Sequence, residues 1–349
     1  MILINKLNVF NLGLLSRQRT FLMGVATIMI ILCHIPKYGV NVDGLLRFIL
    51  AYGNIGVDIF LFLSGLGCYY SLSKTKKLKA WYKKRFYRIF VPYTLIQLPF
   101  WLYYIIIGDF NFFHEILIYS TFGFWVWHHG AWYIALLIPL YALTPLIYRI
   151  LYNGRYKLFK TIFIIIFILI LCNISIESVH DKPFYEILKN IQWTFVRVPS
   201  FVIGMALASL VKQNIKINTL LILILSISSY LIIHQINANI FAWWCIVPAI
   251  LIVIATCFDY IKDSVVFKFI SWLGILSLES YLANIYLCEV IKDVVNRIGY
   301  CSLFYGHYLE YLCIILLGII IAILINKISA LIINTLIPQH FDLTLFISS

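Results

Sequence analysis

Acidic residues are scarce in this chain: 14 Asp and Glu occur among 349 residues, and all charged types together make up only 12%. Soluble domains carry about a quarter charged residues, so this scarcity, beside 63% hydrophobic residues, excludes a water-soluble fold. Long polar stretches are missing as well. No connection between apolar runs is long enough to house a soluble domain, so the expectation is one membrane domain over 1–349 with spans from about 20 to 336. Cysteine pairs at metal spacing are absent. Seven of the eight cysteines (33, 68, 172, 245, 257, 288 and 313) fall inside apolar runs and only Cys301 lies in a loop, which suits small apolar fillers. No metal-ligand constellation and no Gly-rich phosphate loop is found, so no metal is expected. The first apolar stretch lacks a small-residue cleavage site and reads as a retained helix.

What the chain has instead is apolar runs of spanning length. They predict an all-α polytopic bundle of about ten transmembrane helices, near 20–36, 49–72, 89–107, 131–151, 158–176, 193–211, 218–234, 239–258, 267–291 and 308–333. The aromatic segment 112–127 reads as re-entrant or interfacial. Ten spans put both termini on one side, and 20 of the 27 Lys and Arg residues fall on that side. By the positive-inside rule both termini are then cytoplasmic, in a multi-pass protein of the cell (inner) membrane. The same bias accounts for the net charge of +13 without a nucleic-acid partner; the partner it implies is the lipid bilayer. The sequence leaves the oligomeric state open.

Against this apolar background a few polar residues stand out. His34 closes the first run, Phe21–Cys33, where an ionisable group costs roughly 2.5–3.5 kcal/mol, and histidine exchanges a proton near neutral pH. The plainer reading is a helix-end histidine wetted by headgroups. Asp58 stands near the start of the second span, either at a polar cavity or as a first-turn acid favoured by the helix dipole. Gly56, Ser64 and Gly65 in the same span are small enough to let helices approach closely. If the third helix begins near Lys83, Arg85 and Arg88 share a face at i and i+3, beside Lys84. Two guanidiniums so placed grip phosphates in bidentate fashion, and equally suit a cytoplasmic anchor on anionic lipid.

In serial order these features resemble the acyltransferase-3 family of integral membrane acyltransferases. The apolar run ending in His34 comes first, then Gly56-Val-Asp58-Ile-Phe60-Leu-Phe-Leu-Ser64-Gly65, then Arg85-Phe-Tyr-Arg88-Ile-Phe-Val-Pro92. Gly130-Ala-Trp132-Tyr133, Arg197-Val-Pro199-Ser-Phe201-Val-Ile-Gly204 and Ser277-Leu-Glu279-Ser-Tyr281-Leu-Ala-Asn284 complete the series, which runs through 19–291. Two positions depart from the family pattern. Its arginine eleven residues before the histidine is Met23 here, with Arg19 one turn earlier, and its late histidine is Asn284, which cannot take a proton at neutral pH.

The resemblance implies an O-acyltransferase that moves an acyl group, acetyl being the commonest in the family, from cytoplasmic acyl-CoA to a hydroxyl of a surface or exported glycan. Arg85, Arg88 and Lys84 would hold the phosphates of the acyl-CoA co-substrate (acetyl-CoA in the commonest case), with no resident cofactor. His34 would act as general base or carry the acyl group, with Asp58 or Glu279 orienting its imidazole. Arg197, Trp132, Asn284 and Ser64 would serve the acceptor. His128 and His129, beside Trp125, Trp127 and Trp132, suit an aromatic belt or sugar stacking. The family sometimes appends an extracytoplasmic domain; here any second catalytic step is expected from another protein. Two other readings stand beside this one: a transporter or flippase of a lipid-linked sugar, against which no inverted repeat is found, and a family member without activity.

Overall fold

The computed structural model describes residues 9–38, 40, 42–75, 77–108, 123–127, 131–177, 181, 183–236, 242–298 and 308–336. After a short strand β1 (Val9–Asn11) and a single turn α1 (Gly13–Arg17), the chain builds α2 (Arg19–Cys33), α3 (Gly44–Tyr52), α4 (Ile55–Lys74) and α5 (Leu78–Ile106). The short α6 (Gly123–Trp127) leads into α7 (Trp132–Tyr152), α8 (Lys157–Glu177), α9 (Tyr185–Phe195) and α10 (Val198–Lys212). Strand β2 (Lys216–Asn218) precedes α11 (Thr219–Ile236), α12 (Trp243–Asp259), α13 (Val265–Ile275), α14 (Ser277–Ile298) and α15 (Tyr308–Leu336).

Within the described residues each of the ten apolar stretches is largely helical. Among these residues five helical segments are long and apolar enough to cross a membrane by themselves: Gly44–Lys74, Leu78–Ile106, Trp132–Tyr152, Tyr185–Lys212 and Glu310–Leu336. A sixth candidate is the pair α13–α14, bent by 74°, and Arg19–Cys33, Thr219–Gln235 and Trp243–Asp259 are shorter apolar helices. The fold is a helical membrane bundle with one exception to the all-α expectation. Residues 9–11 pair antiparallel with 216–218, Val9 opposite Asn218, forming a two-stranded ribbon. Strands of three residues carry no readable alternation, so the ribbon leaves no mark in the sequence. The third helix also begins earlier than 89, at Leu78, which turns the basic run Lys83–Arg88 into helix rather than loop. Of the 112–127 segment only α6 lies within the described residues; His128, His129 and Cys301 lie outside them.

The most extensive helix contact joins α4 and α10. It rests on a reciprocal pair of glycines. A β-carbon on Gly65 would collide with the Phe201 carbonyl oxygen, and one on Gly204 with the Phe62 carbonyl oxygen. Backbones that touch in this way maximise dispersion contact, the main attraction available to helices in lipid. Around this crossing Phe62, Leu63, Leu66, Phe201, Val202 and Met205 are fully buried, and they form the centre of the main core. A second, smaller cluster gathers Ile31, Ile35, Val40, Val42, Leu50, Cys288, Tyr311 and Ile314 around the end of α2.

Gly65→Ala or Gly204→Ala is expected to destabilise the folded protein by about 1–3 kcal/mol through overpacking. At Gly318 an added β-carbon would meet its nearest atom only at 3.7 Å, so Gly318→Ala should be near neutral. Thermal unfolding in detergent, followed by circular dichroism, compares the three.

Candidate active site

Helices α2, α4, α5, α7, α13, α14 and α15 enclose a cavity of about 280 Å³. At the end that holds the start of α2 and the start of α5 it is lined by Arg19, Lys84, Arg85 and Arg88, with Glu279 the one acid among the lining residues. The chain builds this end from local rules. Because α5 starts at Leu78, Arg85 and Arg88 fall on one helical face three residues apart. Pro92, one turn further and also lining, has no N–H to donate to the Arg88 carbonyl, which opens the helix beside the cavity. Arg85 is buried, with Nη2 donating to the Gly67 carbonyl at 3.3 Å and its guanidinium held between the rings of Trp81 (5.6 Å) and Tyr141 (5.5 Å). Arg19 donates from Nε to the Leu63 carbonyl at 3.4 Å and packs against Gly67, where a β-carbon would lie 2.9 Å from its Nη2. Arg19 and Met23 line the same cavity, so a guanidinium reaches it from four residues before the position where the resembling pattern has arginine.

Glu279 belongs to the first turn of α14, just past the 74° bend, where the helix dipole favours a carboxylate. It accepts a hydrogen bond from Asn326 Nδ2 at 3.0 Å. Ser64, Tyr133, Tyr141 and Tyr281 line the remaining wall, with the Tyr133 and Tyr281 rings edge to face at 5.9 Å.

Arg19, Met23 and Ile30 line the cavity from one stripe of α2, and His34 continues that stripe four residues on. His34 is buried as the C-cap of α2, its backbone N–H bonded to the Ile31 carbonyl at 3.2 Å. It does not itself line the cavity, which ends one turn short at Ile30.

Asp58 and Arg197 lie elsewhere than expected. Both are completely buried and face each other, Arg197 Nη1 donating to Asp58 Oδ2 at 2.8 Å. Ser200 Oγ donates to Asp58 Oδ1 at 3.0 Å, so both carboxylate oxygens are engaged away from His34. Arg197 also donates to the Asn54 carbonyl at 3.3 Å, and its guanidinium packs on the rings of Trp132 (5.2 Å) and Trp193 (5.4 Å). Neither Arg197 nor Trp132 lines the cavity. The reason is electrostatic: a carboxylate and a guanidinium at lipid depth neutralise each other when the fold brings them within reach. Glu279 has Asn326 on Oε1, so each acid has a partner of its own on a neighbouring helix or helix cap. Asn284 is buried one turn after Tyr281, and its Oδ1 lies 3.5 Å from the Tyr311 hydroxyl.

The expected residues therefore fall into three places. Arg85, Arg88, Lys84, Ser64 and Glu279 meet at the cavity; Asp58, Arg197 and Trp132 form a separate buried knot; His34 at the end of α2 and Asn284 beside Tyr311 belong to neither. Sequence reasoning passed over the contribution of α15, which lines the cavity with Asn326, Ser329 and Asn334. Polar residues three and eight apart in an otherwise apolar helix were the available signal.

The structure is thus a bundle of apolar helices around a cavity lined by Arg19, Lys84, Arg85, Arg88 and Glu279. Its family is given by sequence comparison: the family model for the acyltransferase domain Acyl_transf_3 matches residues 21–327, and the chain belongs to that family. It is therefore a membrane acyltransferase. No curated protein and no solved structure matches the chain.

Arg197→Ala would leave the Asp58 carboxylate buried without its cation, at an expected cost of about 3–5 kcal/mol. The double variant Asp58→Asn/Arg197→Gln, which removes both charges, should recover much of that loss. The yield of folded protein and the unfolding temperature in detergent measure both.

Proposed function

We propose that the protein transfers an acyl group, acetyl in the simplest case, from cytoplasmic acyl-CoA to a hydroxyl of a surface or exported glycan. The observation that carries this reading is the single stripe of α2 that runs from Arg19 at the cationic end, past the lining residues Met23 and Ile30, to His34. Fifteen residues of helix span about 22 Å, a reach suited to a donor with charged phosphates at one end and a reactive thioester at the end of a long, weakly polar arm. Arg85, Arg88 and Lys84 hold the phosphates, and Arg19 joins them as a fourth cation. The cavity wall of Ile30, Val57, Phe60 and Leu137 encloses the arm.

In the reaction His34 takes the proton of the acceptor hydroxyl as its oxygen attacks the thioester carbonyl. The carbon–sulfur bond breaks, the acyl ester forms, and the His34 imidazolium gives its proton to the departing thiolate, which restores the base and releases coenzyme A as the free thiol. This orientation goes with ten spans, both termini in the cytoplasm of a cell (inner) membrane, and His34 toward the outer half.

Two measurements test the reading. Surface polysaccharide from cells with the wild-type protein should carry an acyl ester that is missing without the protein and missing with His34→Ala at equal membrane levels. An ester that persists with His34→Ala removes histidine from the chemistry. In purified protein, Arg85→Ala and Arg88→Ala should each raise the KM for acyl-CoA about tenfold to a hundredfold, the value of one charge-assisted hydrogen bond, with turnover at saturating donor largely kept. An unchanged KM would place the phosphates elsewhere.

A further inference from the structure

We propose that Tyr311 is a positioning residue for His34, fixing the backbone of the turn that presents the imidazole; the inference rests on the reading of His34 as the base. The Tyr311 hydroxyl, on α15, donates to the Ile31 carbonyl 280 residues away. That same carbonyl accepts the backbone N–H of His34 at 3.2 Å. Tyr311 is thus one hydrogen bond removed from the peptide group of His34, joined through a single oxygen.

The site needs such a clamp. At the end of α2 the helical ladder stops and the last carbonyls have no intrahelical donor. In a lipid surround no water completes them cheaply, so a side-chain donor has high value there. The turn also belongs to the small cluster of Ile31, Ile35, Val40 and Leu50 rather than to the main core, and Tyr311 brings a hydroxyl into that cluster. The end of α2 also meets Gly53, where a β-carbon would lie 2.9 Å from the Cys33 β-carbon and collide with the Met29 carbonyl. That glycine precedes Asn54, whose carbonyl is bound by Arg197. The helix end that carries His34 is thus packed closely at Gly53 and hydrogen-bonded by Tyr311.

Asn284 completes the arrangement. The Tyr311 hydroxyl has one proton, committed to Ile31, so its free capacity is to accept. Asn284 lies 3.5 Å away, and half a turn of its amide directs Nδ2, a buried donor that otherwise has no bond, at the hydroxyl oxygen. In this chain the late polar position then serves orientation, which asparagine performs without exchanging a proton.

The test compares Tyr311→Phe, which removes the hydroxyl and keeps the packed ring, with His34→Ala and with Leu312→Ala, a half-exposed neighbour on the same helix. Steady-state acyl transfer and thermal unfolding are measured in the full-length protein in detergent, with acetyl-CoA and isolated host polysaccharide. The expected result is a turnover number about tenfold lower for Tyr311→Phe, with KM for acetyl-CoA and unfolding temperature unchanged, and a smaller loss of the same kind for Asn284→Ala. Leu312→Ala should match the wild type. If His34→Ala is inactive but Tyr311→Phe turns over normally, the positioning role is wrong and the function stands. Loss of turnover together with a raised KM and a lower unfolding temperature would make Tyr311 a merely structural residue. Activity retained in His34→Ala would overturn this inference and the reading beneath it.

Discussion

The rest of the structure depends on one neutralised charge pair. Arg197 and Asp58 sit in the interior of an apolar bundle, where either charge alone would be prohibitive, and their bond ties α10 to α4 beside the glycine crossing of the same two helices. Ser200, the Asn54 carbonyl and two tryptophan rings complete the guanidinium and carboxylate shells. With that knot closed, α4 becomes a rigid wall, and its other faces are free to carry Ser64, Phe60 and Val57 to the cavity and to back the end of α2. The protein thus contains two classes of intramembrane charge. One pair balances internally and holds helices; the cluster of Arg19, Lys84, Arg85 and Arg88 lines a cavity to which Glu279 contributes the acid.

Much of this was legible in the chain, and the reasons are specific. Apolar runs mark helices because a bilayer sets a minimum length, so the ten helical stretches could be read directly. Arg85 and Arg88 share a face because three residues nearly complete a turn, and the apolar run ending in His34 marked where α2 ends. The partners of Asp58 were not legible. Arg197 is 139 residues away, and nothing in local spacing says which buried cation a buried acid will meet. The resemblance suggested Asp58 beside His34 and Arg197 at the acceptor; the pairing of the two with each other is created by the packing of α4 on α10. Tyr311 was hidden for another reason: a tyrosine near the end of an apolar helix reads as an interfacial anchor.

The break between α13 and α14 shows how one local irregularity serves several needs. A bend of 74° would waste hydrogen bonds in a lipid-facing helix, yet here it presents a helix N-terminus to the interior. Glu279 occupies that N-terminus beside Asn326, while Tyr281 and Asn284 are carried along the following turns toward Tyr133 and Tyr311. The acid, the ring and the amide all take their placement from that single break.

The ribbon and the packing of α13 give the chain an order of assembly. His34 closes α2, an early helix of the chain, but β1, two elements ahead of α2, has no strand to pair with until residue 218 has been made. The face of α2 at Gly24 has nothing to lie against until Ile270 arrives, and the Ile31 carbonyl waits for Tyr311. That early helix gains its last contacts late. A nascent or truncated chain that inserts its early spans lacks the surfaces of α13 and α15 that meet α2 at Gly24 and Ile31.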